Sequence, residues 1–230
     1  MTNAPLASLI IPCYNYGRYL GEALESALGQ DQPGLEIIVV DDGSSDETLE
    51  VARSFPGVVA IHQENAGDGA ARNRGAAAAR GEVLVFMDAD DILTSDSVSR
   101  RYQLLRDHPE FGYAVCYARN FPCPRTGAVL TPAQHEVVKG IGTCVFSVRR
   151  DVFDQLGGFD RRATANDLEW LVRASELGLK CGVVPEVLVH RRIHGENISR
   201  DYNNKKILFG LLAESVARKR RAAELGDTAP

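Results

Sequence analysis

Four short apolar runs, ASLIIP, LEIIVV, VVAIHQ and EVLVFM, divide the first part of the chain, and a helical pattern follows each of the first three. Strands buried on both faces read as continuous apolar runs of this length. After the first run, Tyr19, Leu20, Ala23, Leu24, Ala27 and Leu28 recur at helical spacing. After the second, Ser44 and Glu47 have the spacing of a capping box and predict its helix in DETLEVARSF. GAARNRGAAAARG reads as the third helix. Strand and helix alternate through short loops, which calls for right-handed crossovers. The predicted architecture is a doubly wound α/β domain whose sheet is mostly parallel, with helices on both faces.

The second part is less regular. YAVCYA and GTCVFSV read as strands, RRDVFDQLGGFD as a short helix stopped by glycine, and CGVVPEVLVHRRIH as a strand. DLEWLVRASELG is amphipathic, with Leu168, Leu171, Val172 and Leu177 expected inward and Gly178 as its C-cap. At 230 residues, 44% hydrophobic and 25% charged, with no Pro/Ser-rich linker, the chain suits a single core. A formal charge of -5 argues against a nucleic-acid partner. The opening MTNAPLASLIIPCYNYG lacks the basic start and longer apolar run of a secretory signal. No run reaches the roughly 18 apolar residues of a spanning helix. Cys13, Cys116, Cys123, Cys144 and Cys181 are odd in number and form no C-x-x-C pair, so they read as reduced thiols of a cytoplasmic protein.

In doubly wound sheets ligands bind beyond the carboxyl ends of the strands. Tyr14 and Asn15, Asp41 and Asp42, Asn65, and the cluster Asp88, Asp90 and Asp91 follow the four runs in turn. Carboxylates as close as those of VFMDADDIL repel one another unless something positive lies among them. Asp88-Ala89-Asp90 has D-x-D spacing and could hold a hard divalent cation together with phosphate oxygens. The same pattern arises as a helix cap or a solvated turn. In Asp41-Asp42-Gly43-Ser44, a tight turn and a cap account for Gly43 and Ser44 but not for two adjacent carboxylates. A carboxylate could accept the imide N–H of a uracil or thymine ring, and Tyr14 could stack on that base; an exposed turn aromatic is the plainer reading. Arg72 and Arg74 lie in a helix of small residues, where Gly67 and Gly69 allow close backbone approach at the end favoured by phosphate. A solvated face is the alternative for both.

Taken in order, SLIIPCYNYGRYLGEALESALGQ, LEIIVVDDGSSDETLEVA, NAGDGAARNRGAAAARGEVLVFMDADD and GTCVFSVRRDVFDQLGGFD closely resemble the family 2 glycosyltransferases. The resemblance runs from about Ser8 to Ser199. It implies a GT-A fold and an inverting, metal-dependent transfer of sugar from a nucleoside diphosphate sugar, a UDP-sugar in the first instance, to an acceptor hydroxyl in glycan or polysaccharide synthesis.

By the same resemblance, Pro12 and Tyr14 would line the nucleobase pocket and Asp42 would accept from the base, with Asp41 beside it. Arg72 and Asn73 would position the nucleotide and the helix. Asp88 would approach the ribose, next to Ala89, and Asp90 would bind the cation, Mn2+ or Mg2+. Asp91 would support them. A Glu-Asp or Asp-Asp pair commonly opens the helix that carries the catalytic base; in ANDLEWLVRASELG, Asn166 stands in the first place and Asp167 matches the base. Glu169 is the reserve. In VLVHRRIHGENIS, Arg192 and His194 match the family's Arg and His, which would meet the diphosphate and the metal respectively, and Arg191 occupies a Tyr position. His194 lies in a polar run and is not expected in the core.

On this reading residues 1–200 form the catalytic domain, with 1–95 its nucleotide half and 96–200 its acceptor half. The irregular stretch from Tyr117 to Gly142 would set acceptor specificity. Residues 201–230 form a basic amphipathic tail, either a helix packed on the core or a peripheral contact with an anionic membrane suited to a lipid-linked acceptor. A catalytically silent nucleotide-sugar-binding protein is the alternative. A sugar nucleotidyltransferase would need a Gly-rich loop with Arg and Lys where PCYNYGRYL stands. The Q-x-x-R-W motif of processive synthases is absent.

Overall fold

The computed structural model describes residues 6–139, 142–160, 166–195 and Asn197. The four apolar runs form β1 (Ala7–Cys13), β2 (Leu35–Asp41), β3 (Val58–His62) and β4 (Val83–Phe86). Helices α1 (Gly17–Leu28), α2 (Thr48–Ser54) and α3 (Asp68–Ala78) connect them. All of β1, most of β2 and all of β4 are buried along their length, as continuous apolar runs require, because both sheet faces are covered. The remaining elements are β5 (Ile92–Leu93), α4 (Ser97–Asp107), β6 (Phe111–Pro122), β7 (Val137–Lys139), β8 (Phe146–Arg149), α5 (Arg150–Leu156), α6 (Asn166–Glu176) and β9 (Lys180–Ile193).

The strands form one sheet in the order β3-β2-β1-β4-β8-β6-β9-β5, with β7 paired to β6. β1 to β4 are mutually parallel, and β8 runs antiparallel to both β4 and β6. β9 is parallel to β6, while β5 and β7 run against their neighbours. The expected architecture is therefore present, with β4 as the point where the parallel order ends. One core cluster, including Leu9, Leu20, Leu24 and Val85, lies on the α1 face of the sheet. Another, including Ile10, Phe86, Phe146, Phe153, Phe159 and Trp170, lies on the α3 and α6 face.

Several local expectations change. Ser44 and Glu47 form no capping box: α2 begins at Thr48, whose N–H is capped at 3.0 Å by Asp46 Oδ1. The Ser44 hydroxyl instead accepts from the Asn15 N–H at 2.9 Å, across to the turn after β1. On α6, Leu168 and Val172 are buried as expected, but Leu177 is 60% exposed and Trp170 fills the core. The helix ends at Glu176, so Leu177 escapes the stripe, and the aromatic cluster on this face takes the indole. The described part of the stretch from Tyr117 to Gly142 is also more regular than expected. β6 runs on to Pro122 because β9 supplies pairing along its length, and Val137–Lys139 folds back on β6 as β7. None of the five cysteines is in a disulfide. Among the described residues no helix is long and apolar enough to cross a membrane. The tail and Ser199 lie outside the described residues.

Glu36 fixes the turn between α3 and β4. Its Oε1 accepts from the Ser8 hydroxyl at 2.5 Å, from the Gly81 N–H at 3.1 Å and from the Arg80 N–H, and its Oε2 from Arg80 Nε at 3.0 Å. A Cβ on Gly81 would stand 2.5 Å from the Ala7 carbonyl carbon, so only glycine lets the turn come this close. Burial pushes the Glu36 carboxyl up, but the bonds from Ser8, Arg80 and Gly81 outweigh it and hold the pKa below the ordinary value. A depressed folded pKa stabilises above the unfolded value of about 4.3 and loses that stability as pH falls through the folded value. Glu36→Gln should therefore lower stability at pH 7 by about 1–2 kcal/mol and flatten the fall in melting temperature between pH 5 and 3. A variant as acid-sensitive as the wild type would contradict this.

Candidate functional site

Cys13 stands opposite Asp41, Asp41 opposite His62, and Ile10 opposite Phe86, so the ends of β1 to β4 meet at one edge. There the turns after β1 and β2 lock together. Asn15, at φ 57, uses its N–H on Ser44 and its side-chain oxygen on the Ser45 N–H at 2.8 Å. Tyr14 is thereby left 49% exposed at the edge, and Pro12 is buried behind it.

The two adjacent carboxylates each hold a different piece of backbone. Asp41 accepts from the Ser44 N–H at 3.1 Å and pairs with His62 Nδ1 at 2.7 Å. Asp42 accepts from Gln63 at 2.6 Å and from the Ala66 and Gly67 N–H groups, both at 2.9 Å. Asp42 thus organises the loop leading into α3. Its Oδ2 takes one of these bonds and retains a lone pair for another donor.

Arg72 ties the site together. It is buried on α3, with Nη2 3.0 Å from Asp88 Oδ1 and Nη1 3.1 Å from Asn166 Oδ1, and it also pairs with Asp68. Burial works against its charge, yet Asp68, Asp88 and Asp167 outweigh it and hold its pKa above the ordinary value. The bridge joins the aspartate turn after β4 to the start of α6. Asn166 accepts from Arg72 and donates to Asp68. A glutamate at 166 would have added a third carboxylate around one guanidinium; with Asp68 present, a neutral amide satisfies both partners. A Cβ on Gly69 would approach the Asn166 amide nitrogen to 3.1 Å, so the space left by this glycine is taken up by Asn166. Asp68 was not singled out in the sequence, although its i, i+4 spacing to Arg72 is a legible ion-pair signal. Arg74 is exposed, in keeping with a solvated face.

Asn73 spends its amide on the backbone of Phe159, donating at 2.8 Å and accepting at 2.9 Å, so it holds the segment after α5 against α3. Asp167, half-buried in the first turn of α6, accepts from the Leu168 N–H at 2.8 Å and borders a small cavity with Phe146, Phe159 and Trp170. Both oxygens of Glu169 are taken by Arg173, at 2.6 and 2.8 Å.

In the aspartate cluster Ala89 is buried and Asp90 Oδ2 meets His194 Nε2 at 2.9 Å and Asn197 at 3.1 Å. His194 is fully buried, contrary to expectation for a polar run: its ring stacks on Tyr19 at 4.8 Å and its polar neighbours turn inward to the acidic groups. Arg192 is buried too. It donates to the Asp90 carbonyl at 2.9 Å and to Glu22 at 2.6 Å, with its guanidinium 4.7 Å over Phe121, so it braces the Asp90 turn. Glu22, on α1, carried no sequence signal beyond its charge. Asp91 accepts from the Arg192 N–H at 3.0 Å, while its buried Oδ2 has no hydrogen-bond partner among the described residues. Burial, reinforced by Asp90 and Asp88, pushes the Asp91 carboxyl well up.

A model for glycosyl transferase family 2 matches residues 8–157. The chain belongs to this family. The match ends before α6, so Asp167, Arg192 and His194 rest on geometry and motif order. As a family 2 member it is 39% identical over 107 residues to the glycosyltransferase GlyG of Streptococcus pneumoniae, covering 44% of this chain and 36% of that one. Its fold is similar to that of a Pyrobaculum calidifontis mannosyltransferase solved with GDP-Man and Mn2+, at TM-score 0.71 and 22% identity over 96% of this chain and 65% of that one. S. aureus TarS solved with UDP-GlcNAc gives TM-score 0.70 and 20% identity, over 92% and 65%. The chain thus spans between about a third and two thirds of the length of these relatives.

The family implies a divalent cation, and the donor set suits one. Asp91 Oδ2 accepts no hydrogen bond among the described residues, although the Arg191 charge lies near the cluster, and Asp88, Asp91 and Cys144 bring ligand atoms within 4.8 Å of one another. Two carboxylates fit a hard ion; the thiol is the softer member.

Proposed function

We propose that this family 2 chain is a metal-dependent, inverting glycosyltransferase that moves a sugar from a nucleoside diphosphate sugar to an acceptor hydroxyl in glycan or polysaccharide assembly. The observation that carries the reading is the Arg72 bridge, which sets Asp88 and the start of α6 beside each other. It puts a carboxylate cluster suited to a cation and diphosphate next to an acid, Asp167, suited to the acceptor. The fold neighbours solved with UDP-GlcNAc and with GDP-Man and Mn2+ support the donor class.

In this reading Tyr14 stacks on the base, Asp42 accepts from it with its remaining lone pair, and Asp88 faces the ribose. Asp88 and Asp91, together with Asp90, which His194, Asn197 and Arg192 position, hold Mn2+ or Mg2+. A bound cation offsets charge developing on the departing diphosphate. Asp167 takes the proton of the acceptor hydroxyl as that oxygen attacks the anomeric carbon from the opposite face.

Thermal-shift measurements with UDP and GDP, each with Mn2+, Mg2+ or chelator, test the donor site. One nucleotide at about 100 times its Kd should stabilise the chain by about 2.7 kcal/mol, and only with the metal. Asp90→Ala should remove most of that metal-dependent gain, read against the variant's own ligand-free melting temperature, which falls because His194 and Asn197 lose their acceptor. Stabilisation by neither nucleotide, or an Asp90→Ala response equal to wild type, would contradict the assignment.

A further inference from the structure

The turn after β4 gathers more than carboxylates. β8 runs antiparallel to β4 with Val85 opposite Ser147, and the same register carried past the strand ends brings Cys144 beside Asp88. The Asp91 N–H closes the turn on the Asp88 carbonyl at 3.2 Å, which returns Asp91 to the same place. Asp88, Asp91 and Cys144 each offer a ligand atom, all within 4.8 Å of one another, and the last two residues are 3% exposed. Arg72 takes Asp88 Oδ1, His194 and Asn197 take Asp90 Oδ2, and the Arg192 N–H takes Asp91 Oδ1. The buried Asp91 Oδ2 accepts nothing among the described residues, and Arg191, whose charge lies near, gives it no hydrogen bond. A buried carboxylate oxygen without a donor points to a cation.

We infer that Cys144 is a ligand of the cation at this turn, and that its sulfur makes the site take a borderline ion such as Co2+ or Zn2+ in preference to Mg2+. Carboxylates alone suit Mg2+, Ca2+ and Mn2+, whereas a thiolate selects softer ions. On binding, the sulfur bonds to the metal and its proton leaves to solvent. Without a cation, burial and the charges of Asp91 and Asp88 push the Cys144 thiol up, so a neutral S–H adds no further negative charge to the cluster. Other roles answer only part of the arrangement. A cysteine that merely fills the core accounts for the burial of Cys144 but not for Asp91 Oδ2. A protonated Asp91 removes one charge but leaves the sulfur beside it unexplained. The inference rests on the proposed function in one respect, that a cation is held at this turn.

The full chain, stripped of metal with chelator and dialysed, is titrated with Co2+ alone and with UDP or GDP present. A thiolate bound to Co2+ gives an intense near-ultraviolet charge-transfer band that oxygen and nitrogen ligands lack. Wild type should show this band with one thiolate per ion, and excess Mn2+ should displace it. Cys144→Ser keeps the size of the side chain. It should lose the band, lower Co2+ affinity about ten-fold or more and leave Mg2+ affinity near wild type. Cys13→Ser and Cys116→Ser, at other buried thiols, should keep the band. If Cys144→Ser does not fold, a wild-type band that Mn2+ displaces and that both other variants retain carries the test. No thiolate band, a band that Mn2+ does not displace, or one that Cys144→Ser retains would overturn the inference. Nucleotide binding is followed by calorimetry in the same samples. Metal bound with no gain in UDP or GDP affinity counts against the proposed function, and metal-dependent nucleotide binding without the band counts against this inference alone.

Discussion

Asp167→Asn is expected to slow sugar transfer by about a hundred- to ten-thousand-fold, the range contributed by a positioned general base. Asparagine keeps the size of the side chain and the acceptor for the Leu168 N–H, so α6 should start where it does now. What disappears is the ability to take a proton. Arg72 also feels the Asp167 charge, but it hydrogen-bonds directly to Asp68, Asp88 and Asn166. Nucleotide affinity should therefore stay within about two-fold of wild type. The paired measurement is the initial rate of sugar transfer against calorimetric donor binding. A rate equal to wild type would exclude Asp167 as the base. With Glu169 already held by Arg173, no other carboxylate on this turn would then be ready to replace it.

Arg72→Met should have the largest effect on stability. The Arg72 side chain is 5% exposed, and its removal strips the counter-charge from Asp68 and Asp88 at once. Breaking a fully buried ion pair from one side costs about 3–5 kcal/mol. Here the remaining carboxylates, 43% and 35% exposed, can regain water, so about 2–3 kcal/mol is the better expectation. That corresponds to a fall in melting temperature of about 5–10 °C for a domain of this size. Donor binding should weaken as well, because Asp88 loses the group that orients it. Arg72→Lys keeps the charge but not the fork that reaches Asp88 and Asn166 from separate nitrogens, so it should recover only part of the loss. A melting temperature unchanged in Arg72→Met would mean that the bridge does not hold the two halves of the site together.

The sheet was legible because its strands are buried on both faces, and burial writes itself as the unbroken runs ASLIIP, LEIIVV and EVLVFM. The edge position of Tyr14, Asp41, Asp42 and Asp88 followed from parallel topology and was found there. What the sequence concealed were long-range partners. Asn166 looked like a weakened catalytic pair until Asp68 was seen to carry the second charge from α3. His194 looked exposed because its neighbours are polar, but those polar groups face Asp90 and Glu22, which come from other parts of the chain. Ser44 and Glu47 had capping-box spacing, but the hydroxyl was drawn to the turn after β1, a tertiary contact that local pattern does not encode. The same holds for Trp170, whose neighbours come from β6, β8 and the segment after α5.

The central claim is that the carboxylates after β4 and Asp167 on α6 act together on one nucleotide sugar. It is tested most directly by incubating the chain with radiolabelled UDP- and GDP-sugars and a panel of hydroxyl acceptors, and measuring release of nucleoside diphosphate with Mn2+ and with chelator. The account predicts metal-dependent release that is lost in Asp90→Ala and in Asp167→Asn, with donor binding surviving in the second variant only. Metal-dependent binding of the donor with release that is the same in wild type and Asp167→Asn would contradict it.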